Sequence, residues 1–169
     1  LQDLFSADKK IVIAGGKDTG SCIVELCIGA APRESYPEYI TKKGSNGIEE
    51  RIPTFLPNGQ LDPRLTPDIT LLASGESNID KFTEDKRPRY QDALKRAKGE
   101  GKLTLIDQRL LETTTAGGFA GTVLENGNSL ISDYIFLATG LDKPTPGDIF
   151  PRGTQPTLAS TDFGNVGYT

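Results

Sequence analysis

The sequence contains no histidine, no methionine and no tryptophan among its 169 residues, and only two cysteines. Without an imidazole, no Ser-His-Asp or Cys-His nucleophile can be assembled from this chain alone. Zinc binding is disfavoured too, because Cys22 and Cys27 are the only soft ligands. Five helical steps separate them by about 140°, so they do not share a helix face, and they do not form a C-x-x-C redox pair. Both are expected to be buried free thiols, in keeping with a cytoplasmic protein. No apolar run approaches the ~20 residues of a membrane span, and "LQDLFSADKK" at the start lacks a signal-peptide pattern. Strong basicity is missing as well: the net charge is −4. That argues against nucleic acid or an anionic membrane as the main partner. With no methionine anywhere, the chain reads as a fragment excised from something longer.

What remains is ordinary globular composition, 36% apolar and 25% charged. A folded chain of this length buries about 70% of the surface it exposes when unfolded. "KKIVIAG" (9 to 15) is a short β-branched run suited to a buried parallel strand. "DTGSCIVELCIGA" (18 to 30) has apolar residues at Cys22, Ile23, Leu26, Cys27 and Ala30, which predicts a helix with one buried stripe. Residues 32–67 hold six prolines and the turn signals "SNG" and "PNG", and read as an insertion forming a hairpin or irregular excursion. "DITLLAS" (68 to 74) is the next buried strand, and a charged helix is expected from about Arg89 to Lys98. "KLTLIDQRLLETTTAG" (102 to 117) suggests a strand running into a turn. "GFAGTVLENGNSLISDYIFLATG" (118 to 140) suggests a hairpin bent at "NGN", with "DYIFLA" as its last strand. Beyond Gly140 the chain turns rich in Pro, Gly, Ser and Thr, which suits a connection or docking tail. The fold class expected is α/β: a Rossmann-like three-layer domain over residues 1–144, with a central parallel sheet, a β-hairpin or meander and the Pro-rich insertion. Residues 145–169 are expected to be an irregular tail.

Strand, glycine turn and helix together make a phosphate cradle, because the first amides of a helix lack partners and carry the positive end of its dipole. In G-x-G-x-x-G the first glycine makes the turn, the second admits the pyrophosphate and the third lets helix and strand pack. "GGKDTG" (15 to 20) supplies Gly15 and Gly20 but puts Lys17 in the middle position. That lysine either blocks the cradle or stands beside it as an ammonium. A tight turn with no ligand is the other reading of the same residues.

The loop "IVIAGGKDTG", the segment "ENGNSLISDYIFLATG" and the order of elements between them resemble the NAD(P)-binding domain of the FAD-dependent pyridine nucleotide–disulfide oxidoreductase superfamily. The resemblance runs from about Lys9 to Pro144. Its members include thioredoxin reductases, flavin monooxygenases and N-hydroxylating monooxygenases, and "GGKDTG" is similar to glycine loops of the thioredoxin-reductase-like group. The resemblance implies that Gly15, Gly16, Lys17, Asp18, Thr19 and Gly20 surround the pyrophosphate. It also implies that Ser74, Gly75, Glu76 and Ser77 lie near the adenosine ribose. Ala138, Thr139 and Gly140 would form the floor where the domain meets a flavin domain. It implies NAD(P)H as cofactor here and FAD in the parent protein, with the flavin domain as partner, no catalytic side chain and no turnover by this chain alone. A second dinucleotide fingerprint is expected upstream of Leu1.

Two departures bear on this. Residues 32–67 have no counterpart in compact relatives. The second strand does not lead into an arginine cluster, and Glu76 offers a carboxylate to a free 2′-OH, which tilts the choice toward NADH. Lys81, Arg87 and Arg89 could still reach a phosphate, although a solvated helix face also explains them. Two rival readings stay open. One is a non-catalytic Rossmann-like binding module with its partner surface on residues 32–67. The other is a nucleotide-sugar or cofactor sensor. The electron acceptor, the oligomeric state and the role of the insertion are not legible.

Overall fold

The computed structural model describes residues 2–138. Its centre is a four-stranded parallel sheet of β1 (Lys10–Ala14), β4 (Asp68–Leu72), β5 (Leu103–Ile106) and β9 (Tyr134–Leu137), in the order β5-β4-β1-β9. Alternation along these strands divides the core in two. Ile11, Ile13, Ile69, Leu71, Leu103 and Leu105 face one side, where they meet Val24, Cys27 and Ile28 of the first helical segment and Ala93, Leu94 and Ala97 of a later helix. Val12, Ala14 and Leu72 face the other, against Leu124 with Leu110, Leu130 and Ile135 around it. Successive strand side chains point to opposite faces, so a strand buried on both must be apolar throughout. That is why "IVIA" carries no polar residue.

The helical layer consists of α1 (Asp18–Cys27), the short α2 (Ile79–Thr83) and α3 (Pro88–Gly99). In α3 Tyr90, Ala93, Leu94 and Ala97 are buried, spaced for one helical face, while its lysines and arginines stay in water. The third layer is an antiparallel meander of β6 (Leu110–Ala116), β7 (Phe119–Leu124) and β8 (Ser129–Ser132). The structure is thus the α/β three-layer arrangement expected from the sequence.

Residues 32–67 form a hairpin of β2 (Tyr39–Lys43) and β3 (Glu49–Pro53), with a 3-10 turn on each side. Phe5, Tyr36, Ile40, Ile52, Leu61 and Leu65 give this segment its own buried cluster. Tyr36 ties it to α1: its hydroxyl donates to the Leu26 carbonyl at 2.9 Å and accepts from the Ala31 amide at 3.2 Å. Helix-end carbonyls need such partners. Burial pushes the Tyr36 phenol up to about 12.

Four details differ from the sequence expectation. The buried stripe of α1 is Gly20, Val24, Cys27 and Ile28, and Cys22 is exposed. Gly20 is pressed against the preceding turn, which fixes the helix phase and turns residue 22, two steps of 100° away, toward solvent. Cys27 is buried as expected, and burial pushes its thiol up to about 12. Segment 110–116 is a full strand rather than a turn. "DYIFLA" does not extend the hairpin but crosses back to pair with β1 in parallel, Ile11 opposite Tyr134. The short helix α2 was not foreseen. Residues 139–169, including Thr139, Gly140 and the expected tail, lie outside the described residues.

Candidate functional site

The chain leaves β1, steps outward to β4 and then β5, and finally returns to the far side of β1 with β9. Ligands of open α/β sheets settle at such a reversal, in the crevice beyond the carboxyl ends of the strands. A cavity of about 600 Å³ lies there. It is lined by Gly15, Gly16 and Lys17 after β1, by Ser74 and Glu76 after β4, by Arg109 after β5 and by Ala138 after β9.

The glycine turn is built by close approach. Gly15 has φ 113, a left-handed backbone that favours glycine, and its amide donates to the Leu72 carbonyl at 3.1 Å. A Cβ on Gly20 would stand 2.0 Å from the Gly15 carbonyl oxygen, so the first turn of α1 rests directly on the loop backbone. A Cβ on Gly16 would meet the Phe82 ring at 2.5 Å. The N-cap of α1 is Lys17, whose side chain cannot accept a hydrogen bond, and no side chain caps the helix. Its first amides are therefore left for an external acceptor. Lys17 itself is exposed and makes no ion pair among the described residues. Asp18 turns to Arg87 at 3.6 Å, with both side chains mostly in water, and Thr19 is exposed. Gly20 is buried behind the loop as a packing residue.

The rest of the lining mixes residues expected from the sequence with others that were not. Ala138 is buried at the end of β9, its amide donating to the Ala14 carbonyl at 2.7 Å. Glu76 accepts from the Asn78 amide at 2.8 Å. Ser74 accepts from Nε of Arg109 at 3.0 Å. Lys81, Phe82, Asp85 and Lys86 come from α2 and the segment after it. Lys86 packs over the Phe82 ring, its ammonium 4.3 Å from the centroid, and its side chain is only 9% exposed. Of the three cations considered from the sequence, Lys81 lines the cavity. Arg87 pairs with Asp18, and Arg89 pairs with the buried Glu25 at 3.5 Å. Arg109 and Lys86 were missed. Nothing local marks them, because their place depends on β5 lying beside β4 and on the path between α2 and α3.

The residues fit a dinucleotide phosphate: the cradle holds only where Gly20 lacks a Cβ, and the α1 amides lack a capping side chain. Among the described residues no cluster of acidic or thiol side chains could hold a metal ion, and no helix is long and apolar enough to cross a membrane.

No family model matches the chain, and no curated protein does. Solved structures similar to it include the HOCl-induced flavoprotein disulfide reductase RclA from Escherichia coli. That likeness has 11% identity and a TM-score of 0.49, covering 94% of this chain and 26% of that one. The bacillithiol disulfide reductase Bdr from Staphylococcus aureus matches at 15% identity and TM-score 0.48, over 93% of this chain and 36% of that one. The lysine monooxygenase NbtG from Nocardia farcinica, described for its NADPH domain conformation, matches at 15% identity and TM-score 0.43, over 82% and 29%. The chain thus spans about a quarter to a third of the length of these proteins. At identities of 11 to 15% and TM-scores below 0.5, these likenesses decide nothing about cofactor or activity.

Proposed function

We propose that this domain binds a pyridine dinucleotide across the carboxyl ends of β1 and β4, as the NAD(P)H-binding part of a flavin-dependent oxidoreductase. One observation carries the reading: a glycine turn that tolerates no Cβ at Gly20 opens, with uncapped helix amides, onto a cavity of about 600 Å³ at the reversal of strand order. Lys17 and the amides of Asp18 and Thr19 would take the pyrophosphate, Gly15 and Gly16 would admit it, and Ser74 and Glu76 would lie toward the adenosine ribose. Ala138 would lie toward the flavin domain of the parent protein, and Thr139 and Gly140 are outside the described residues. When bound, reduced nicotinamide supplies a hydride to the flavin of the parent protein. The chain's own contribution is to bind, orient and exclude water, and none of its side chains need act as acid or base.

A rival, the binding module with a partner surface on residues 32–67, has the exposed Tyr39 and Ile48 of the hairpin in its favour. Calorimetric titration of the chain with NADH and with NADPH separates the two, repeated with Lys17→Gly. Saturable heat with either nucleotide supports the dinucleotide reading. Absence of heat at millimolar nucleotide from a folded sample refutes it.

A further inference from the structure

Four cations line the cavity, Lys17, Lys81, Lys86 and Arg109, against two carboxylates, Glu76 and Asp85. This excess of positive charge stands in a chain whose net charge is −4. A pyrophosphate is already served by Lys17 and the α1 amides, which leaves three cations unassigned.

Two of these are held in unusual ways. Lys86 is nine-tenths buried, yet its closest carboxylate oxygen, on Asp85, is 3.8 Å away, beyond hydrogen-bond reach. No hydrogen bond to its ammonium is found among the described residues, and its neighbour on one side is the Phe82 ring, 4.3 Å from the centroid. The stem is buried while the ammonium, with three donors, is left to meet an anion in the cavity. Arg109 follows β5, two strands away from β1, or about 10 Å at the spacing of neighbouring strands. Its Nε is anchored on the Ser74 hydroxyl at the end of β4, and its two terminal nitrogens make no bond among the described residues. The guanidinium is thus fixed at one corner with its fork free, at the place where the adenosine ribose would lie.

A ribose with a free 2′-OH calls for a carboxylate acceptor, whereas a 2′-phosphate calls for a guanidinium. Glu76 was the candidate acceptor, but one of its oxygens is taken by the Asn78 amide in a local turn. We infer, on the premise of the dinucleotide reading above, that Arg109 and Lys86 form a subsite for a ribose 2′-phosphate, so that the domain selects NADPH over NADH. The residues that read the phosphate then come from the strand beyond β4 and from the segment after α2, not from the turn directly following β4. This reverses the tilt toward NADH that Glu76 gave.

The test is calorimetry of the purified chain in phosphate-free buffer with NADPH, NADH, 2′,5′-ADP, 5′-ADP and inorganic phosphate. NADPH should bind about tenfold tighter than NADH or better, the worth of a charge-assisted hydrogen bond. 2′,5′-ADP should exceed 5′-ADP by a similar factor, with inorganic phosphate far weaker than either. Arg109→Met, at an exposed side chain, should bring NADPH down to the NADH level and leave NADH within about twofold. Lys86→Met should do the same, with its fold checked by circular dichroism, and Lys98→Met, on the outer face of α3, should leave the ratio unchanged. Equal affinities for NADPH and NADH would overturn this subsite and leave the dinucleotide reading standing. A ratio insensitive to both Arg109→Met and Lys86→Met would overturn the assignment of these residues. Binding of neither nucleotide by folded chain would overturn both readings.

Discussion

Replacing Gly20 by alanine tests the packing on which the loop depends. In most helices such a change is favourable by about 1 kcal/mol, because alanine orders at lower entropic cost. Here the new Cβ would stand 2.0 Å from the Gly15 carbonyl oxygen, 3.2 Å from the carbonyl carbon and 3.4 Å from Ile13 Cγ2. The obstacle is backbone, so no rotamer change relieves it. The first turn of α1 must retreat by about 1 Å, which also pulls Val24, Cys27 and Ile28 off the sheet. Overpacking of this kind costs about 1–3 kcal/mol, and the upper end applies where backbone opposes backbone. Net of the helical gain, Gly20→Ala should destabilise by about 2 kcal/mol. At a urea m-value of about 2 kcal/mol/M, that lowers the midpoint by about 1 M. The internal control is Gly99→Ala at the end of α3, where a Cβ meets nothing within 4 Å. It should raise the midpoint by a few tenths molar, for a gain of about 0.5 kcal/mol. If Gly20→Ala were as benign as Gly99→Ala, the close approach of loop and helix would be wrong, and the phosphate cradle with it.

Two further outcomes follow from the core and the sheet edge. The Thr122 hydroxyl is buried in β7 without a hydrogen-bond partner among the described residues, so Thr122→Val should stabilise by about 1 kcal/mol in chemical denaturation; a loss of that size would mean the hydroxyl is satisfied after all. Asp133 joins the starts of β1 and β9, accepting from the Lys10 amide at 2.8 Å and from the Lys9 ammonium at 3.0 Å. These bonds, the amide first, hold its carboxyl below the usual range, so its contribution is fully present above the unfolded value of about 3.9 and is lost as pH falls through the lower folded value. Asp133→Asn should therefore cost about 1–2 kcal/mol at pH 7 and progressively less in urea titrations below about pH 4; a difference that does not change with pH would refute the assignment.

The part of the fold set by local pattern was legible in the sequence. "IVIA" reads as a strand buried on both faces and "DITLL" as its apolar neighbour with a polar start, and the glycine turn between β1 and α1 follows from "GGKDTG". The phase of α1 was not, because apolar spacing alone allowed Cys22 to be buried. Only the contact between Gly20 and Gly15 rotates it outward. Strand β6 escaped because residues 111–116 are all exposed, so it shows neither an apolar run nor an alternation. Parallel pairing of β9 with β1 is a long-range fact, and so is the meeting of Arg109 with Ser74, 35 residues earlier. Of the residues that line the cavity, Gly15, Gly16, Lys17, Ser74, Glu76 and Ala138 were named from the sequence. Two of the four cavity cations, Lys86 and Arg109, were not.

The measurement closest to the central claim is amide chemical-shift mapping of the chain during titration with NADPH. Saturating shifts should concentrate at Gly15 to Gly20, Ser74 and Ala138, with the amides of Asp18 and Thr19 moving most. Shifts confined to the 32–67 hairpin, or none in the glycine turn at saturating nucleotide, would contradict it.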